Sequence, residues 1–128
     1  MKELRVIIAG SRNFDDYKLL RREVCTILIK HNKSKELIKI ISGKARGADI
    51  LGERFAEEFN LEVGEFPAAW DKLGKRAGYV RNAEMAKYAV ADDNFGVLIA
   101  FWDGKSKGTK HMIDLAKRYG LEVHIVRF

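Results

Sequence analysis

At 128 residues the chain has room for one compact domain, 1–128, and not for two. Its hydrophobic content of 47% is enough for a core without staples, and the single cysteine, Cys25, excludes a disulfide framework and a cysteine-based zinc site. The balance of 24 basic against 18 acidic residues gives +6, split as +3 in each half, so there is no basic tail. Polyanion binding therefore depends on where folding gathers the lysines and arginines. The longest apolar run, Gly96 to Trp102, is far shorter than the roughly 20 residues of a membrane span. The start, Met1-Lys2-Glu3-Leu4, carries no signal-peptide pattern, so the expectation is a soluble cytoplasmic protein without a membrane partner.

Taken in order, five apolar stretches alternate with four helical patterns. A first strand over Leu4–Ala9 ends in Gly10-Ser11-Arg12. A helix follows over about 15–30, with Tyr17, Leu20, Val24, Ile27 and Leu28 on one stripe and Asp15 or Asp16 as its cap. The second strand, Leu37–Ile41, runs into Ser42-Gly43-Lys44-Ala45-Arg46-Gly47 and a helix over 48–59. Strand three, Leu61–Phe66, stops at Pro67, the only proline. The stretch 68–77 reads as a loop, followed by a helix over 78–90. Strand four, Phe95–Phe101, leads through Trp102 to Gly108 into a helix over 109–119. Gly120 stops that helix, and strand five covers Leu121–Phe128.

Such alternation implies βαβ units and a parallel sheet. Val6-Ile7-Ile8-Ala9 and Val97 to Phe101 are apolar on both faces, as central strands require, whereas strands three and five alternate as edges do. Right-handed crossovers then give a Rossmann-like, doubly wound α/β fold of five parallel strands in the order 3-2-1-4-5. The switch point lies between strands one and four, and open α/β sheets bind ligands at the carboxyl ends of their strands beside such a point.

The loops at that edge carry the most distinctive residues. Gly10-Ser11-Arg12, Ser42 to Asp49 and Ser106-Lys107-Gly108-Thr109 each join small residues to a helix N-terminus, whose free N–H groups favour an anion. Arg12, Lys44, Arg46, Arg81, Lys105, Lys107 and Lys110 add positive charge. Together they describe a phosphate-bearing ligand. There is no G-x-x-x-x-G-K-[ST] and no G-x-G-x-x-G, which excludes a Walker-type nucleoside triphosphatase and disfavours ordinary dinucleotide binding.

In series, Gly10-Ser11-Arg12, Ser42-Gly43-x-Ala45-Arg46-Gly47-Ala48-Asp49, Arg81-Asn82 and Ser106-x-Gly108-Thr109 resemble the SLOG superfamily. That group takes in the SMF/DprA DNA-processing proteins and the LOG-type nucleotide phosphoribohydrolases. Pro67-Ala68-x-Trp70, Ala77-Gly78-x-x-Arg81-Asn82-x-x-Met85 and Ala100 to Thr109 are most similar to its YspA-like, YpsA-related single-domain branch. The resemblance implies a Rossmann-like fold that binds nucleotides or nucleotide-derived ligands such as ADP-ribose, with a homodimer as a form relatives adopt. LOG enzymes use an arginine and a glutamate for N-glycosidic cleavage. Arg81 matches the arginine, but Met112 stands at the glutamate, and a methionine can neither polarise water nor stabilise a ribosyl cation. The expected function is thus binding or sensing of a nucleotide derivative, with N-glycoside hydrolysis as the enzymatic alternative. Single-stranded DNA binding, with Trp70, Tyr79 or Trp102 stacking on bases, is the nucleic-acid alternative.

Arg81 and Asp103 are the candidates for any catalytic role. Asp103 sits at the switch, where a carboxylate can touch ribose or act as a base, and Asp49 either caps its helix or accepts from a ribose hydroxyl. Ser11 and Ser42 have no histidine base placed to activate them. His31, His111 and His124 show no ligand spacing, so neither a metal nor a cofactor is expected.

Overall fold

The computed structural model describes residues 2–128. Five strands, β1 (Leu4–Gly10), β2 (Ile38–Ser42), β3 (Glu62–Glu65), β4 (Phe95–Trp102) and β5 (Glu122–Arg127), form one sheet in the order β3-β2-β1-β4-β5. Every pair is parallel, and the central seam runs from Leu4 against Phe95 to Gly10 against Phe101. The strand order inferred from apolar patterning is the order observed. The five helices are α1 (Tyr17–His31), α2 (Ala48–Glu58), α3 (Trp70–Leu73), α4 (Ala77–Val90) and α5 (Lys107–Arg118).

Alternation along the strands divides the core into two layers. Val6 and Ile8 of β1 face α1 and α2, packing with Phe14, Leu20, Val24 and Phe55. Ile7 and Ala9 face α4 and α5, packing with Met85, Ala86, Met112 and Ile113. Each fully buried aliphatic or aromatic side chain contributes about 1.5–3 kcal/mol over leaving it in water. Met112 therefore belongs to the core, as the pattern of its helix implies.

Local signals set the helix ends. The Asp16 carboxylate accepts from Leu19 N–H at 3.1 Å, which fixes the start of α1 one residue later than Asp15 would. Ser106 caps α5, its hydroxyl accepting from Thr109 N–H at 3.3 Å, so α5 begins at Lys107 rather than Thr109. The segment after Pro67 is not wholly a loop. It holds α3 and a 3₁₀ turn over Gly74–Arg76, too short for periodicity to reveal.

Gly10 closes the seam between β1 and β4. A β-carbon there would lie 2.2 Å from the Phe101 carbonyl oxygen, which accepts from Ser11 N–H at 2.9 Å just beyond the ladder. We predict that Gly10→Ala destabilises the fold by about 3 kcal/mol, the upper end for overpacking. Urea titration should show a lower midpoint at unchanged slope; an unchanged midpoint would contradict this account of the seam.

Candidate functional site

Past the carboxyl ends of β1, β2 and β4, three loops and the start of α4 enclose a crevice of about 200 Å³. Gly10, Ala45, Asp49, Asn82 and Gly108 are among its walls, and Met85 and Met112 lie at its floor. A wider mouth of about 570 Å³ adjoins it, sharing Arg12, Ala45, Trp70 and Arg81 and adding Arg46 and Pro67. The crevice thus sits at the topological switch point, where strand order reverses.

The β2–α2 loop is built around a polar knot. The Ser42 hydroxyl donates to Glu53 Oε2 at 2.6 Å and accepts from Lys44 N–H at 3.1 Å. Lys44, at a left-handed φ of 64°, is paired with Glu53 at 2.9 Å and Glu65 at 3.0 Å. Ser42 and Lys44 therefore serve the loop's shape, and Lys44 adds no free charge to the rim. Glu53 had no signal in the sequence, because its role depends on α2 laying its second turn over the β2 exit. At Gly47 a φ of 87°, with the Ser11 carbonyl oxygen 2.4 Å from a would-be β-carbon, demands glycine.

Asp49, only 4% exposed, lines the crevice from the first turn of α2. It does not cap from outside the helix; its Oδ2 accepts from Ala45 N–H at 3.3 Å. Gly43 separates it from Arg81: Asp49 Oδ2 and Arg81 Nη1 lie 2.7 and 2.8 Å from where a Gly43 β-carbon would sit. Arg81 donates to the Gly43 carbonyl and, through Nε, to Asn82 Oδ1 at 3.1 Å. Burial, against the pull of Arg81, pushes the Asp49 carboxyl up to about 6, and burial also lowers the Arg81 pKa.

Asn82 is buried and links the helices. Its amide donates to the Gly108 carbonyl at 3.3 Å and lies 3.1 Å from His111 Nδ1, whose imidazole pKa burial lowers. Asp103 is the hub of the β4–α5 loop. Its Oδ1 accepts from Lys105 and Ser106 N–H at 2.8 Å each, and its own N–H donates to Ser11 Oγ at 3.2 Å. The Ser106 and Lys105 amides hold its carboxyl below the ordinary range. Asp103 thus shapes the turn through Oδ1, while its Oδ2 accepts no hydrogen bond from the described residues. Trp102 likewise packs: its Nε1 donates to the Ser106 carbonyl at 3.1 Å and Arg127 covers its ring.

The outward-facing groups are of another kind. Trp70 and Tyr79, 48% and 47% exposed, flank the crevice, with the Arg12 guanidinium 6.0 Å from the Trp70 ring centre. Among the described residues Arg12, Arg46 and Lys75 form no ion pair. Gly108 has an ordinary φ and nothing within 4 Å of a would-be β-carbon, so neither backbone nor packing requires a glycine there. Thr109 beside it is buried against the Ser106 cap. Among the described residues no group of three or more His, Cys, Asp or Glu can hold a metal; His31 and His124 both bond Glu122 far along the sheet. No helix is long and apolar enough to cross a membrane.

A parallel 3-2-1-4-5 sheet with glycine-rich strand exits around a switch-point crevice defines an α/β protein of the Rossmann-like class. The chain belongs to the YspA, cpYpsA-related SLOG family, whose model matches residues 4–73. It is similar to the Gene 61 protein of Mycobacterium phage D29, 36% identical over 124 residues that cover 93% of each chain. No solved structure matches it. The family match spans the β1 and β2 exits and ends before Arg81 and the β4–α5 loop.

The raised Asp49 pKa has a pH signature. The folded state holds this proton more tightly than the unfolded one, so the contribution favours the fold at low pH and is lost as pH rises from 3.8 to about 6. Above that the ionised carboxylate costs up to about 3 kcal/mol. Asp49→Asn should melt several degrees above the wild type at pH 7.5, with the gap closing towards pH 4. Comparing the two proteins cancels the opposite trend of Asp103 and Glu58, whose values are lowered. A gap that does not change with pH would refute the assignment.

Proposed function

We propose that the protein binds a nucleotide or nucleotide-derived molecule through its phosphate, in the crevice at the carboxyl ends of β1, β2 and β4. The observation that carries this reading is Gly108. Glycine in a helix costs up to about 1 kcal/mol relative to alanine, and here no φ and no neighbour demands it. What it provides is bare backbone at the start of α5, where N–H groups lack intrahelical acceptors and the dipole is positive. Arg12 and Arg46, exposed and without carboxylate partners, border the same space. Membership of a SLOG family agrees with a nucleotide-related ligand.

N-glycoside hydrolysis is the weaker reading, because Met112 is 2% exposed among Ile113 and Ala116, and no carboxylate replaces the glutamate there. Single-stranded DNA has Trp70, Tyr79 and the free cations of the rim in its favour, but the crevice itself suits a small anion.

Thermal melting against AMP, ADP-ribose, NAD and a single-stranded oligonucleotide, with product analysis of each mixture, separates the three readings. A ligand at one hundred times its Kd stabilises by about 2.7 kcal/mol, a shift of several degrees in a domain of this size. We expect a small-molecule shift without product, lost in Arg46→Ala. A free base among the products would make the protein an enzyme, and protection by the oligonucleotide alone, falling steeply with salt, would make it a DNA binder.

Gly108→Ala makes a sharper prediction because its two effects have opposite sign. The free protein should gain between a few tenths and about 1 kcal/mol, since the β-carbon enters open space. Ligand affinity should fall, since that space is where the phosphate approaches. A variant that gains stability and keeps full affinity would remove the phosphate from the α5 N-terminus.

A further inference from the structure

Three carboxylates belong to the loops and helix around the crevice, and two of them take two good donors each from the chain itself. Glu53 takes the Ser42 hydroxyl at 2.6 Å and the Lys44 ammonium at 2.9 Å. Asp103 takes two backbone N–H groups at 2.8 Å. Asp49, the most buried of them, does worse than both. Its one donor from another residue is Ala45 N–H at 3.3 Å, and no cation comes within ion-pair distance.

That shortfall is unusual. A carboxylate offers about four acceptor positions, and buried polar groups are nearly always satisfied, because leaving them unmet costs kilocalories. The obvious partner, Arg81, is turned elsewhere by its bonds to the Gly43 carbonyl and Asn82. Among the described residues no deeply buried side-chain atom is wholly orphaned. Asp49 is under-bonded rather than abandoned, and the space it borders is the crevice.

We propose that Asp49 accepts hydrogen bonds from the vicinal hydroxyls of a ribosyl phosphate, which makes it the residue that selects ribose over deoxyribose. The inference rests on the phosphate-binding reading above and adds the sugar to it. The group it meets is not the phosphate, whose oxygens this carboxylate would repel, whereas a cis-diol presents two O–H donors to its two oxygens. The phosphate is then left to Gly108, Arg12 and Arg46 on the outer side. Hydrogen bonds to a charged acceptor are worth about tenfold or more in affinity when one partner is removed.

The test uses the whole chain and base-free probes, so a base amino group cannot stand in for the sugar. Ribose 5-phosphate, 2-deoxyribose 5-phosphate and inorganic phosphate are titrated separately, following the backbone amide NMR signals of Gly47 and Gly108. The expected result is that ribose 5-phosphate binds about tenfold more tightly than its deoxy analogue, with the ratio falling to near one in Asp49→Asn. Equal affinities in the wild type, which need no variant to measure, overturn the proposal, as does a preference that survives Asp49→Asn. If inorganic phosphate shifts those amides but the two sugars bind alike, the hydroxyl assignment alone fails. If none of the three probes shifts them, the phosphate-binding reading fails and takes this one with it.

Discussion

Where β1 meets β4, the absence of one β-carbon lets two backbones come together. Gly10 lies against the Phe101 carbonyl at a separation that no side chain would allow, and Ser11 N–H donates to that carbonyl, continuing the ladder past the last paired residues. Because the chain leaves this seam in opposite directions, towards β2 on one side and β5 on the other, the two loops part and a crevice opens between them. The Ser11 hydroxyl reaches the Asp103 amide across that gap and ties the loops at a fixed spacing. Gly47, packed over the Ser11 carbonyl, brings the third loop to the same place. The geometry of the site is therefore inherited from the sheet.

Much of this was legible in the sequence. The contrast between Val97–Phe101, apolar throughout, and Leu121–Ile125, alternating, contains the strand order, because burial on one face or two is a property of the side chains themselves. The loops at the strand exits were legible from their small residues, and Gly10 and Gly47 do mark where backbones crowd. The division of labour within those loops was not. Ser42, Lys44 and Asp103 have the residue types of ligand contacts, yet their hydrogen bonds run to Glu53, Glu65 and the Lys105–Ser106 amides. Such pairings depend on which residues lie side by side after folding. Ser42 stands opposite Glu65 only because β2 and β3 pair in that register.

The charge distribution tells a related story. Along the chain the excess of basic residues is even, and folding does not so much gather cations at one edge as remove the carboxylates from some of them. Arg21, Lys44 and Lys110 acquire partners; Arg12 and Arg46 do not. Asn82 contributes by another route. One side-chain amide joins Arg81, the Gly108 carbonyl and His111, so α4 and α5 meet the crevice as a single unit.

Beneath these polar walls lie two thioethers, Met85 and Met112, from α4 and α5. Methionine is unbranched and polarisable, and it refills irregular space at little cost. A crevice with hydrogen-bonded walls and such a floor is stiff in one dimension and compliant in the other. It holds polar groups to fixed positions while its depth yields to the shape of whatever lies against it. For the binding proposed above, two molecules that share the same polar end and differ in their buried portion would then fit with nearly equal ease, with the tolerance set by sulfur rather than by the loops.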